Sequence, residues 1–134
     1  MDNKYQVHIQ MESVWEEETT IQLAEGVLYE RSDSWFLRYK EPDAEQGAIT
    51  ATIKFTQDQI KLMRRGAVES DMTFERNVTH SGFYSTPLIH VELETVTTEI
   101  QVELTEGKGK LVWSYLLKSQ ADSSSLRRVI VLLS

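Results

Sequence analysis

Tyr5-Gln6-Val7-His8-Ile9-Gln10-Met11-Glu12 alternates a nonpolar with a polar side chain at every step, and Trp15 closes the run. Successive side chains of a strand point to opposite faces. The stretch therefore reads as a strand with one dry face and one wet face. The same two-residue period returns along the chain as far as Leu133, and no stretch of comparable length keeps a helical period. An antiparallel sheet that is wet on one side must close or fold over to bury the other, which makes a barrel or a sandwich.

The rest of the chain extends this pattern. Glu16-Glu17-Glu18 reads as an acidic turn. The second strand is expected to carry Ile21 and Leu23 inward, to bend at Gly26, and to continue inward through Val27, Tyr29 and Arg31. After the turn Ser32-Asp33-Ser34, Trp35, Leu37, Tyr39 and Glu41 share one face. The loop from Pro42 to Gly47 is rich in turn formers. Ile49, Ala51, Ile53 and Phe55 form the fourth inner face; Ile60 to Arg64 form a fifth strand, which closes at Gly66. Met72, Phe74 and Arg76 mark a sixth, and a short strand surrounds Phe83 and Tyr84.

Pro87 interrupts the ladder, since proline donates no amide hydrogen. Ile89, Val91 and Leu93 form one further face, and Ile100, Val102 and Leu104 the next. After a turn at Glu106 to Gly109, Leu111, Trp113, Tyr115 and Leu117 point inward. The loop Gln120 to Ser125 leads to Leu126–Leu133, which is apolar on both faces and suggests cover by another element or subunit. Ten or so short strands joined by tight turns predict an all-β, antiparallel, up-and-down barrel with little helix, one domain over residues 1–134.

Totals narrow the function classes. The 134 residues carry 14 Lys and Arg against 21 Asp and Glu, a net charge of −7. That balance argues against general binding to nucleic acid or to an anionic membrane. The chain has no cysteine, so disulfides, thiol catalysis and zinc–thiolate sites are excluded. The start Met1-Asp2-Asn3-Lys4 runs into strand pattern without an apolar signal core, and the default expectation is a cytoplasmic protein.

Several short signatures recur in an order that resembles the bacterial YwiB-like family, a domain of unknown function with a calycin-like (lipocalin-like) β-barrel. They are Glu25-Gly26 followed by Tyr29, then Tyr39-Lys40-Glu41, Arg64-Arg65-Gly66 and Phe74-Glu75-Arg76-Asn77. Tyr84-Ser85-Thr86-Pro87 comes next, and Gly109-Lys110-Leu111 leads to Tyr115. One departure is that Leu88-Ile89-His90 follows Thr86-Pro87 where the family tends to have a glycine turn. The resemblance implies a barrel and no activity, since function does not follow from fold.

Charged residues with inward parity mark where a site would lie. Glu41 and Arg64 are expected at one mouth, their backbones two strand spacings apart, with Arg31 and Arg76 at the other. A Glu–Arg pair there either neutralises itself or holds a ligand carboxylate through the guanidinium fork. Charges at strand ends also simply escape to solvent. Tyr84 is placed near the pair by the resembling Tyr-x-Thr-Pro segment. Tyr29, Trp35, Tyr39, Phe55, Phe74, Trp113 and Tyr115 share inward parity and either line a cavity or fill it. His8, His80 and His90 are scattered and lack metal-ligand spacing.

The sequence thus offers Glu41, Arg64, Tyr84, Tyr39, Tyr115 and Trp113 as ligand-binding candidates. It shows no catalytic constellation, metal set or cofactor motif. The first functional reading is a non-enzymatic barrel that takes a small, partly apolar ligand at one mouth. The second is a protein-interaction module or homodimer using the outer surface, where Val14, Phe36, Leu116 and Ile130 have exposed parity.

Overall fold

A computed structural model describes residues 3–42, 47–119 and 124–134. The expected loops after Pro42 and before Ser124 therefore lie largely outside the described residues, as does the start at Met1-Asp2. The described residues form ten strands: β1 (Asn3–Trp15), β2 (Glu18–Glu30), β3 (Trp35–Lys40), β4 (Ile49–Phe55), β5 (Gln59–Gly66), β6 (Glu69–Glu75), β7 (Thr79–Ser85), β8 (His90–Thr105), β9 (Lys108–Ser119) and β10 (Ser124–Leu133). Each pairs antiparallel with the next, and β10 returns to β1. The sheet is a closed barrel, as the alternation predicts.

Inward-facing rows follow from the register. On β1 they include Val7 and Ile9, on β3 Leu37 and Tyr39, on β4 Ala51, Ile53 and Phe55. Ile60 and Phe74 continue the layer, and Leu111, Trp113 and Tyr115 close it with Val129, Val131 and Leu133. Phe74 lies against both Trp113 and Tyr115, with ring centroids 5.5 and 4.5 Å apart. Trp35 stacks on Phe55 at 5.3 Å. Among these residues the aromatics fill the interior.

Two expectations need correction. Ile21 and Leu23 point outward and are exposed. Tyr5, Val7 and Ile9 of β1 face Leu28, Gly26 and Ala24 of β2, so the even residues of β2 point inward, and Val27, Tyr29 and Arg31 do not. Gly26 explains the choice. A Cβ there would lie 2.9 Å from Ile9 Cδ1 and 3.0 Å from Tyr39 Cβ, so the inner wall has no room for a side chain. β2 is nonetheless one strand, as expected, without a register shift at Gly26.

The second correction concerns the faces at Val91 and Ile100. They belong to one sixteen-residue strand, β8, with a register shift between Thr97 and Glu99. The bulge moves the inward set from odd residues (Thr95, Thr97) to even ones (Ile100, Val102), because one extra residue reverses every later side chain. As for the expected cover over the outer face of β10, no other described element of this chain supplies it, and Leu126 and Leu132 are exposed.

The turn after Thr86 closes without glycine. The Thr86 hydroxyl accepts from the amides of Leu88 and Ile89, and the Thr86 amide donates to the Ile89 carbonyl. Leu88 projects from it at 93% exposure.

Candidate functional site

One ladder row builds the wall of the mouth at which β3, β5 and β7 end. Tyr39 pairs with Ala51, Ala51 with Arg64, Arg64 with Ser70, and Ser70 with Tyr84. All have inward parity. Glu41 follows the end of β3 on the same face, its amide donating to the Ile49 carbonyl. Small Ala51 stands between Tyr39 and Arg64, which leaves the long side chains on either side room to meet.

Glu41 and Arg64 do meet. Arg64 Nε donates to Glu41 Oε2 at 2.6 Å, and Nη2 donates to Oε1 at 2.8 Å. The side chains are only 13% and 24% exposed. A two-point fork of this kind fixes direction as well as charge. The hydrogen bond from Arg64 to Glu41 raises the guanidinium's pKa, burial opposes it, and the nearby Tyr84 and Tyr39 reinforce it. The register puts Tyr84 on the same row as Arg64, with Ser70 between them.

Tyr39 is buried, with its hydroxyl 3.8 Å from the sulfur of Met11. Burial pushes its pKa well up, the Glu41 carboxylate adds to this, and Arg64 pulls the other way. Tyr115 is also raised by burial, against the pull of Arg127. The sign of the consequence is fixed. A tyrosine ionises near pH 10 in the unfolded chain, while these two keep their protons in the fold. Their contribution is whole below pH 10 and is lost as pH rises through the folded values. Above pH 10 Tyr39 should lower stability by about 1.4 kcal/mol per pH unit, and Tyr115 should add to the fall. Urea midpoints at pH 9, 10 and 11 check this; a flat profile would contradict the burial of both phenols.

Opposite this wall, halfway round the strand order, lie residues that the sequence reading did not single out. Arg127 of β10 pairs with Tyr115 on one side and Trp15 on the other. Its guanidinium lies 4.6 Å from the Trp15 ring centroid, and its Nε donates to Ser125. Among the described residues it has no carboxylate partner within ion-pair distance. Its odd number in the Val129, Val131, Leu133 register was the available signal. Ser70 was missed as well, having no charge to attract notice. It is 1% exposed, and its hydroxyl has no hydrogen-bond partner among the described residues. The hydroxyl of Thr97 and the indole nitrogen of Trp113 are in the same position.

The remaining expectations separate cleanly. Trp113 is fully buried, so it forms floor and not rim. Tyr29 faces outward, with Lys4 5.8 Å from its ring centroid. Arg31 is exposed beyond the end of β2. Arg76 lies at the opposite mouth, as expected, but it is exposed and donates to the Ile100 carbonyl and to Asp58. His8 lies beside Glu25, His80 on Glu75, and His90 against Phe83. Among the described residues no three acidic or histidine side chains converge as metal ligands, and no helix is long and apolar enough to cross a membrane.

Comparison with known proteins agrees with this architecture. The family model described as "Domain of unknown function (DUF1934)" matches residues 6–129. The uncharacterised β-barrel protein YwiB of Bacillus subtilis is 28% identical over 90 residues, which cover 67% of this chain and 63% of the relative. The matched segment thus spans less than two thirds of that relative's length. The crystal structure of the B. subtilis protein superposes with a TM-score of 0.77 at 20% identity, over 99% of this chain and 92% of the other. At that identity the likeness is one of fold.

Proposed function

The chain belongs to the DUF1934 family, whose function is unknown, and on that premise we propose that it binds a small, partly apolar ligand at the mouth holding Glu41 and Arg64. The observation that carries this reading is the Ser70 hydroxyl. It is buried in the row between Arg64 and Tyr84 and has no partner among the described residues. An unmet buried hydroxyl costs about 1–3 kcal/mol, which a ligand acceptor would recover. Tyr84 and Arg127 offer further polar contacts, and Trp113, Phe74 and Tyr115 give an apolar floor. The tight aromatic packing limits the ligand to the mouth.

A second reading is supported by the outer face. Leu23 of β2 and Leu132 of β10 flank Gln10, and Ile21 and Ile130 flank Glu12. Leu23 and Ile21 are 67% and 57% exposed. Such a patch suits a second copy of the chain or another protein.

Native mass spectrometry of freshly purified protein separates the two. A retained small mass on the monomer supports the first, and Tyr84→Phe should then lower its occupancy by about tenfold, as for the loss of one strong hydrogen bond. A bare dimer supports the second reading, and a bare monomer counts against both.

A further inference from the structure

The outward side chains of β3, β4 and β5 include no carboxylate. They are Phe36, Arg38 and Lys40; Thr50, Thr52 and Lys54; Gln59, Lys61, Met63 and Arg65. In a chain with more acids than bases, half of this face is cationic. The carboxylates lie elsewhere. Outward carboxylates begin beside it on β6, with Glu69, Asp71 and Glu75, where Asp71 pairs with Arg65. They continue on β8, three strands beyond β5, with Glu92, Glu94, Glu99 and Glu103. The net charge of −7 therefore coexists with a carboxylate-free face over β3 to β5, bordered by Glu25 on β2 and by the acids of β6.

One register row crosses the basic side. Lys4, Tyr29, Phe36, Lys54 and Lys61 are successive partners on β1 to β5. Tyr29 and Phe36 are direct cross-strand neighbours, so the rings lie side by side between cations. Lys54 lies 5.5 Å from the Phe36 ring centroid. Lys54 and Lys61 face one another directly, and neither has a carboxylate within ion-pair distance among the described residues. Like charges placed opposite one another destabilise a sheet until a counter-charge arrives. Arg38 stands one row along, and with Tyr29, Phe36 and Thr52 it lines an open cleft of about 630 Å³.

We propose that the outer face of β2 to β5 binds single-stranded nucleic acid, its bases on Tyr29 and Phe36 and its phosphates on Arg38, Lys54 and Lys61. Aromatic rings within a positively charged surface stack bases of any sequence while the cations track the backbone. An acidic peptide would use the cations but not the paired rings. A duplex keeps its base faces stacked within itself and would leave the rings idle. The surface is separate from the mouth, so it stands or falls independently of the ligand reading.

The test is fluorescence anisotropy with labelled twelve-residue oligo(U) and oligo(dT). Contact with about three phosphates gives a logarithmic salt slope near −2, so affinity should weaken by roughly 20-fold between 50 and 200 mM salt. Lys54→Glu combined with Lys61→Glu should abolish binding, while Lys110→Glu on β9 should leave it unchanged. Phe36→Leu keeps the charges and should weaken binding by about tenfold, the effect of losing one stacked base. The two oligomers decide between RNA and DNA: preference for oligo(U) assigns RNA through its 2′-hydroxyls, and equal binding assigns either strand. No binding at 50 mM salt, equal binding of a duplex, full competition by poly-glutamate, or indifference to Phe36→Leu would each overturn the proposal.

Discussion

Trp113→Ala should lower the stability of the barrel by about 3–5 kcal/mol, the usual consequence of emptying a buried aromatic site. Trp113 is 1% exposed and touches Phe74 across the interior, and Phe74 in turn touches Tyr115. The void would sit in the middle of a closed wall whose strands are hydrogen-bonded on both sides. Such a wall relaxes poorly, which favours the upper end of the range. With a urea slope of about 2 kcal/mol per molar, the midpoint should fall by roughly 2 M. Ile53→Ala, fully buried on β4, should behave similarly at about 2–5 kcal/mol. Ile21→Ala supplies the contrast, because its side chain faces solvent and its loss should register within about 0.5 kcal/mol. If Ile21→Ala cost as much as Ile53→Ala, the register between β1 and β2 would be wrong.

That contrast also shows where the sequence was legible. On β1, β3, β4 and β9 the inward positions are almost all apolar, even though Val14, Phe36, Val112 and Leu116 stand outward, so alternation gives the fold. On β2 it points to the wrong face. Ile21, Leu23, Val27 and Tyr29 are the conspicuous residues, yet the wall is made by Ala24, Gly26 and Leu28. Parity on β2 is set by what fits against Ile9 and Tyr39, a three-body constraint that no single strand carries. On β8 the period is intact on both sides of Thr97, and only the bulge reconciles them. An extra residue is invisible unless both halves are known to be one strand. The mouth was half legible for the same reason. Glu41 and Arg64 are charged residues on otherwise apolar faces, which makes them conspicuous. Arg127 follows a polar loop that masks its parity, and Ser70 is small and neutral.

Removing Arg64 alone should be costly, and removing both members of its pair should not. Arg64→Met leaves the Glu41 carboxylate in a position only 13% exposed, without the fork that neutralises it. Loss of one partner from a buried ion pair costs about 3–5 kcal/mol; the partial exposure of this pair brings the expectation to about 2–4 kcal/mol. Glu41→Met should cost less, since the Arg64 side chain is the more exposed of the two and its long stem can turn towards solvent. The double variant puts two apolar chains of similar length across the same gap. It should return to within about 1 kcal/mol of the wild type, because burying two charges offsets most of their attraction. The coupling energy from urea denaturation of all four proteins should therefore exceed about 1 kcal/mol. This matters because a single variant cannot distinguish a structural pair from a binding one, as it weakens the fold in either case. The double variant removes that confusion. If the mouth binds a ligand through Arg64, the double variant stays folded and loses the retained mass. If the pair only closes the barrel, the double variant is stable and keeps whatever the wild type holds.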